Sequence, residues 1–218
     1  MFGCAFRSAF PVVDVPRLCL VDSWLSSVLV GRTVATVAEL CFATQCALLL
    51  DALAGAAGSR FGRAAARAVV PLIIVAELCS WSAVLTTSNL GHVAEESIWA
   101  ATAGLLVAGV IAAWPRCPPR LRPLAALAAA VGTGYLAFML LVDVPLYLSR
   151  WQAQQGRGHE LLGLAEGIVR LAGRCTVSWR WEHWQDEIPW MTMYFSVAVW
   201  FSILLTRVPA RLARGDAR

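Results

Sequence analysis

The sequence contains no lysine, since all 18 basic residues are arginine. This absence excludes catalysis through a lysine nucleophile or a lysine Schiff base. Asn89 is the only asparagine, and because Leu90 and Gly91 follow it, the chain has no N-glycosylation sequon. Charge is scarce as well: only 15% of the residues are charged, against about 25% in typical soluble domains. The composition therefore does not fit a soluble domain.

Sequence motifs for common soluble chemistry are also missing. The seven cysteines form no Cys-x-x-Cys pair, so neither a thiol redox motif nor a zinc ribbon is indicated. We interpret most of them as small buried apolar residues, and a disulfide between Cys19 and Cys175 stays open. There is no P-loop, nucleophile elbow or dinucleotide fingerprint. The net charge of +4 comes with arginines at the ends of apolar blocks, which indicates membrane topology rather than nucleic-acid binding.

Long apolar runs are what the sequence has in excess. Hydrophobic residues make up 59% of the chain, and the mean hydropathy is +0.65. A membrane-spanning helix needs about 20 predominantly apolar residues, and five blocks are long enough. Their continuous apolar character predicts helices rather than alternating barrel strands. We therefore predict an all-α integral membrane helical bundle, one domain over residues 33–206. The predicted spans lie near 33–57, 68–89, 96–114, 123–148 and 188–206.

The remaining segments flank or connect these spans. Residues 1–32 contain prolines and several charges, which favours an interfacial or re-entrant segment, with a sixth span as the alternative. Residues 149–187 form a long outer segment, in which 159–172 has the apolar spacing of an amphipathic helix on the membrane surface. The tryptophans that follow are typical of a membrane interface, and a lid over a lipid-binding groove is the alternative. Residues 207–218 form a basic tail.

The arginines predict the orientation of the bundle, because cytoplasmic loops carry an excess of basic residues. With five spans, the arginine-rich loops after the first and third spans lie on the same side as the C-terminal tail. We expect that side to be cytoplasmic, with the N-terminus outside and the C-terminus inside. Which membrane the protein occupies is left open. The arginines concerned are Arg60, Arg63, Arg67, Arg116, Arg120, Arg122, Arg207, Arg211, Arg214 and Arg218.

Three of the acidic residues inside the predicted spans are the strongest candidates for a functional role: Glu39, Glu77 and Asp143. A charged side chain at the centre of a span costs about 2.5–3.5 kcal/mol on insertion scales, and such residues usually face the bundle interior. The predicted spans contain no basic residue that could neutralise them, so we expect each carboxyl group to be protonated, hydrated or bound to a cation. These three are the predicted catalytic residues, with Glu77 as a general acid or base.

Two similar polar motifs stand at the outer ends of the third and fifth spans, and both read His-x-x-(Asp/Glu)-Glu. Residues three and four apart share a helix face, so each motif can direct an imidazole and carboxylates to one point. Two histidines with several carboxylates form the ligand set of dinuclear carboxylate sites. The motifs predict a divalent metal, zinc or di-iron, and His159 is a candidate third imidazole. The predicted metal ligands are His92, Glu95, Glu96, His183, Asp186 and Glu187.

Two short stretches resemble the alkaline ceramidases, which are membrane amide hydrolases with a zinc site near one face. Residues 186–191, DEIPWM, are similar to the DELPM stretch of that family, and Glu77 with Ser88 and Asn89 downstream is similar to its early Glu and SN region. The late paired histidines of the family have no counterpart here. The resemblance covers a small part of the chain and implies lipid chemistry.

The acids and histidines together predict a metal-dependent membrane enzyme, a hydrolase or a di-metal oxidoreductase. It would act on a lipid-like or other hydrophobic substrate near the non-cytoplasmic face. A proton- or cation-coupled transporter or channel is one alternative, since staggered intramembrane acids can form a relay. A non-catalytic subunit or assembly factor is another, because the small residues of 125–134 permit close packing against a second protein. The expected partners are membrane lipid, a hydrophobic small molecule, and a further copy or partner subunit, but no nucleic acid.

Overall fold

The computed structural model describes residues 1–158, 160–173 and 175–206, and most of them are helical. The α-helices are α1 (Phe2–Ala9), α2 (Val28–Ala56), α3 (Arg60–Thr86), α4 (Asn89–Ala113), α5 (Arg122–Phe138), α6 (Val144–Gly156), α7 (Leu164–Leu171), α8 (Ile188–Thr192) and α9 (Ala198–Thr206). The strands are β1 (Val12–Val13), β2 (Leu18–Cys19) and β3 (Thr176–Val177). Short 3₁₀ turns lie at Trp24–Ser26, Trp114–Arg116, Pro119–Leu121, Trp181–His183 and Gln185–Glu187.

Five helical stretches among the described residues are long and apolar enough to cross a membrane, which confirms the predicted helical architecture. Because short connections join α2 to α3 and α3 to α4, these helices run antiparallel. The beginning of α2, the end of α3 and the beginning of α4 therefore lie together, at what we call the upper end of the bundle. The five stretches are Val28–Ala56, Arg60–Thr86, Asn89–Arg116, Pro119–Gly156 and Gln185–Thr206.

The first and third spans begin earlier than predicted. Ser27 has an extended backbone, and its Oγ accepts a hydrogen bond from the backbone N–H of Val30 at 3.4 Å. Serine is a favoured N-cap because its side chain satisfies a helix N–H that has no intrahelical partner. Helix α2 therefore begins at Val28 instead of residue 33, which places Arg32 inside the helix. Helix α4 begins at Asn89 instead of residue 96.

Small residues let the spans approach closely. A Cβ atom added at Gly91 would lie 2.6 Å from the carbonyl oxygen of Cys79, so α3 and α4 touch backbone to backbone near the upper end. A Cβ atom added at Gly109 would lie 2.8 Å from a side-chain carbon of Leu50, so the Leu50 side chain of α2 packs directly against the backbone of α4 lower down. Small residues at such contacts are common between membrane helices because they maximise packing. This closeness brings the polar faces of α2, α3 and α4 together.

The N-terminal residues form α1 and a small sheet. Residues 1–27 contain no helix long enough to span a membrane, so a sixth span is not formed there. Strand β1 pairs antiparallel with β2, and β2 pairs parallel with β3, which ties the N-terminal segment to the outer segment. The sequence did not predict this sheet, because strands of two residues are too short to show alternation.

The outer segment begins later than predicted, because α6 continues the fourth span to Gly156. Helix α7, Leu164–Leu171, is shorter than the amphipathic helix predicted over 159–172. It crosses the end of α3: Gly167 is so close that an added Cβ atom would collide with the backbone of Leu85. The tryptophans divide, since Trp179 is 77% exposed while Trp184 is buried. The aromatic-belt interpretation therefore does not apply to Trp184.

A π-helical turn, Met139–Asp143, joins α5 to α6 within the fourth span. Pro145 follows two residues later, and proline cannot donate the backbone hydrogen bond that a regular helix needs. Such π turns inside α-helices occur often at functional sites. Asp143 is the last residue of this turn and is buried.

Candidate functional site

Arg32 lies at the centre of a buried cluster of carboxylates near the upper end. Its Nη2 atom is 2.8 Å from Glu77 Oε2 on α3 and 2.8 Å from Glu95 Oε1 on α4. The same nitrogen is 3.5 Å from Glu39 Oε2, two helical turns further along α2. A fourth acid, Asp14, approaches Nη1 at 3.9 Å. We call Arg32, Glu39, Glu77 and Glu95 the arginine cluster.

Arg32 overturns the sequence-based prediction that no basic residue neutralises the intramembrane acids. That prediction was wrong because the first span was taken to begin at residue 33. The missed signal was the Ser26–Ser27 pair, since serines before an apolar run mark a helix start. Arg32 and Glu39 are seven residues apart, which places them on one face of a helix. The cation that pairs with these acids is therefore the Arg32 side chain of the protein itself.

Hydrogen bonds on α2 and α3 hold the cluster in place. Thr36 Oγ1 donates to Glu77 Oε2 at 2.6 Å, and Trp81 Nε1 donates to Thr36 Oγ1 at 3.1 Å. Glu77 is 4% exposed and is not among the described residues that line the large cavity below. Glu77 was predicted as a general acid or base, but its contacts are those of a group that positions Arg32 and Thr36.

His92 pairs with Glu95 beside the arginine cluster. The distance from His92 Nδ1 to Glu95 Oε2 is 2.9 Å, and both side chains are nearly inaccessible to solvent. Because Arg32 donates to the other oxygen of Glu95, this carboxylate acts as an acceptor and Nδ1 as the donor. The His92 ring also packs on Tyr147, with ring centroids 5.0 Å apart. Nε2 is then the ring nitrogen left for a ligand.

A cavity of about 800 Å³ lies beside these residues and extends down the bundle. Its upper part is polar and includes His92, Glu95 and Tyr147, while its lower part is apolar and includes Leu50 and Phe201. Binding sites for small molecules typically have volumes of about 300–1,000 Å³. An amphiphile with one polar end and one apolar end matches this division.

The structure divides the six predicted metal ligands into two groups. His92, Glu95, Glu96 and Glu187 line the cavity, as does the predicted catalytic Asp143. His183 and Asp186 are exposed and do not line it, and His183 Nδ1 lies 2.7 Å from Ser178 Oγ instead. Glu187 is paired with Arg150 at 2.5 Å. His159 lies outside the described residues.

The arginine cluster also has the spacing of a metal site. Oxygen atoms of Glu39, Glu77 and Glu95 lie within 4.8 Å of one another, and no other such group is found among the described residues. The Nη2 atom of Arg32, however, contacts the same three carboxylates. A divalent ion between them would lie against the guanidinium group, where two positive charges repel each other. The donor set therefore fits arginine better than a metal.

Comparisons with known proteins place the chain in no established group. No family model matches it, and neither a curated protein nor a solved structure matches it. The similarity to alkaline ceramidases therefore depends only on the short stretches in which it was found. The fold and the site define a helical bundle of membrane-protein type, with a buried arginine cluster beside an amphiphilic cavity.

Proposed function

We propose that this protein is an integral membrane hydrolase that takes a lipid-like substrate into the cavity and cleaves it at the polar end. One observation carries the proposal: the His92–Glu95 pair is fixed by Arg32 and lies at the polar end of a lipid-sized cavity. A histidine oriented by a carboxylate is a common general base in hydrolysis. The surrounding apolar lining would hold an acyl or alkyl chain.

In this mechanism His92 removes a proton from the attacking water. Glu95 holds Nδ1 as the donor, so Nε2 carries the lone pair that accepts the proton. Arg32 keeps Glu95 oriented through its 2.8 Å contact, and Glu77 and Glu39 in turn orient Arg32. The attacked bond is an ester or amide at the polar end of the substrate. Once protonated, His92 would pass that proton to the leaving group, and Glu96 and Asp143 line the same part of the cavity.

We also propose that the site faces the non-cytoplasmic side. Arg60 begins α3 and Arg116 ends the third span, so both lie at the end of the bundle opposite His92. An excess of arginine marks the cytoplasmic side. The N-terminus would then be outside and the C-terminus cytoplasmic. Labelling of single cysteines placed next to Arg116 and next to Trp179 with a membrane-impermeant reagent tests this: only the second should react from outside.

Hydrolysis can be tested before the substrate is identified. Purified protein is incubated with a total membrane lipid extract in ¹⁸O-labelled water, and the products are identified by mass spectrometry. The wild type should consume a lipid class and leave the label in one product. His92→Ala and Glu95→Gln should reduce the rate at least about 100-fold, since a general base typically contributes that much.

The matched control is Glu182→Gln, which removes an exposed carboxylate on the outer segment. It should hydrolyse at the wild-type rate. A wild-type protein that consumes no lipid, or a His92→Ala variant with full activity, would refute the proposal.

Dependence on zinc or a di-iron pair stays a prediction. Of the predicted ligands, His92, Glu95, Glu96 and Glu187 line the cavity together with Asp143, whereas His183 lies elsewhere. On that prediction, elemental analysis of the detergent-purified protein would show metal that is lost in His92→Ala and kept in His183→Ala. If the wild-type protein contains no metal and still hydrolyses lipid, the metal-dependent mechanism is refuted and the His92–Glu95 mechanism stands.

The transporter and the non-catalytic subunit also stay predictions. A fixed guanidinium group between Glu39 and Glu77 opposes the passage of a second cation at that point. For this reason we favour the enzyme over a cation relay. Ion flux in liposomes that disappears with Glu77→Gln would reverse this preference, and co-purification with a fixed partner would favour the subunit.

A further inference from the structure

Acidic side chains outnumber arginines around the cavity. Six carboxyl groups and three guanidinium groups line it. A polar end with this imbalance, surrounded by apolar lining, favours a ligand that brings positive charge. The acids are Asp14, Glu39, Glu95, Glu96, Asp143 and Glu187, and the bases are Arg7, Arg32 and Arg150.

The arginines are already engaged. Arg32 holds the arginine cluster, and Arg150 pairs with Glu187. Arg7 donates to the carbonyl of Val12 at 3.2 Å and lies over the ring of Trp190 at 5.3 Å. The three arginines therefore leave some of the cavity's carboxyl groups without a basic partner.

Glu96 and Asp143 are the acids that remain. Among the described residues, neither has a hydrogen bond or an ion pair with a protein group. Asp143 is only 6% exposed, yet it lines the cavity. A carboxylate buried this far without a partner is costly. A cationic group placed in the cavity beside Glu96 and Asp143 would relieve that cost.

Aromatic rings surround the same place. Trp99 is one turn after Glu96 on α4, and residues three apart share a helix face. The Trp99 ring meets the Tyr135 ring at 88°, with centroids 6.3 Å apart, and Tyr147 lines the cavity as well. Aromatic faces attract alkylammonium ions within about 6 Å of the ring centroid. Together with the acids, these rings form a lining suited to an organic cation.

A bare divalent ion fits this place less well. Among the described residues, ligand atoms of His92, Glu96 and Asp143 do not all lie within 4.8 Å of one another. A small ion would therefore contact too few ligands, whereas an ammonium group with its alkyl substituents can span the distance.

We propose that the cavity binds an amphiphile with an ammonium headgroup, held between Glu96 and Asp143 against Trp99, Tyr135 and Tyr147, with its alkyl chain in the apolar lower part. The proposal depends on the cavity used in the proposed function and narrows the substrate class of that site. It concerns binding, so it can be tested without turnover.

The test is equilibrium binding of radiolabelled dodecyltrimethylammonium to the protein in phosphatidylcholine nanodiscs, with empty nanodiscs subtracted. The wild type should show saturable binding that dodecyl sulfate does not displace. The Glu96→Gln/Asp143→Asn double variant should bind at least about tenfold more weakly, because the charge pair is lost. Glu182→Gln, the exposed control, should bind like the wild type. These amide variants keep the shape and remove an unpaired charge, so their melting temperature should be unchanged or higher.

The outcomes separate the two proposals. His92→Ala should lose hydrolysis and keep ammonium binding. Saturable binding by a wild type that hydrolyses no lipid would support the headgroup site and refute the hydrolase. Equal displacement by dodecyl sulfate, unchanged affinity in the double variant, or no saturable binding would overturn the headgroup site, whatever the hydrolysis assay shows.

Discussion

Replacing Arg32 by methionine is expected to destabilise the protein strongly. Methionine keeps much of the length of the arginine side chain but removes the charge and all of its hydrogen-bond donors. Glu77 and Glu95 would each lose a contact of 2.8 Å, and Glu39 one of 3.5 Å. The variant would leave these carboxylates close together in the bundle without a cation.

The expected loss is about 3–5 kcal/mol, the usual cost of removing one partner from a buried ion pair. This figure needs little reduction for solvent screening, because Arg32 is 6% exposed and Glu39, the most exposed of its three glutamates, is 14% exposed. For a chain of this length, such a loss lowers the melting temperature on the order of 10 °C. Intrinsic tryptophan fluorescence of the detergent-purified protein measures it.

A compensating variant makes the reasoning stricter. Replacing a whole buried ion network by neutral groups is often nearly neutral for stability. Arg32→Met combined with Glu77→Gln and Glu95→Gln should therefore recover most of the lost melting temperature. Arg180→Met is the control, because Arg180 is 72% exposed in its pair with Glu182 and surface pairs contribute little. An unchanged melting temperature in Arg32→Met, or a triple variant less stable than the single one, would refute the argument.

Two further predictions concern packing and a thiol. Gly91→Val should lower the melting temperature, because the added Cβ atom would lie 2.6 Å from the Cys79 carbonyl oxygen. Gly134→Ala is the control: an added Cβ atom there has nothing within 4 Å, so the melting temperature should be unchanged or higher. Equal effects of the two substitutions would contradict the close approach of α3 and α4. Burial, and secondly a hydrogen bond with Cys19, raise the pKa of Cys175 to about 12. The thiol should therefore be protonated at neutral pH, and its alkylation rate, followed by mass spectrometry, should increase about tenfold per pH unit up to about pH 11. A plateau near pH 9, as for an unfolded peptide containing Cys175, would contradict this.

Most residues of the candidate site could be predicted from the sequence, but the contacts between them could not. Glu39, Glu77, Glu95 and His92 were recognised because polar groups in or beside apolar spans are rare and costly. Arg32 was not, since its role depended on a helix start that the Ser27 cap places a few residues earlier. Such ends are the least certain part of any sequence-based assignment.

The two histidine motifs show that residue spacing alone does not predict where a side chain lies in the fold. Both have the same spacing, yet His92 is buried in a regular helix, while His183 lies in a 3₁₀ turn and contacts Ser178. Spacing indicates which side chains share a face only if the segment is an α-helix of fixed direction. The direction of the outer segment is set by its pairing with β2 and by α7 crossing the end of α3, which are contacts distant in sequence.

The sequence by itself determined that the chain forms five long apolar helices and that a few acids must find partners among them, because hydrocarbon tolerates neither an unpaired backbone nor an unpaired charge. Only the tertiary structure decided which partners they find. Arg32 meets Glu77 and Glu95 because α2, α3 and α4 approach through small residues, and contacts between residues far apart in the chain leave no local pattern from which they could be inferred.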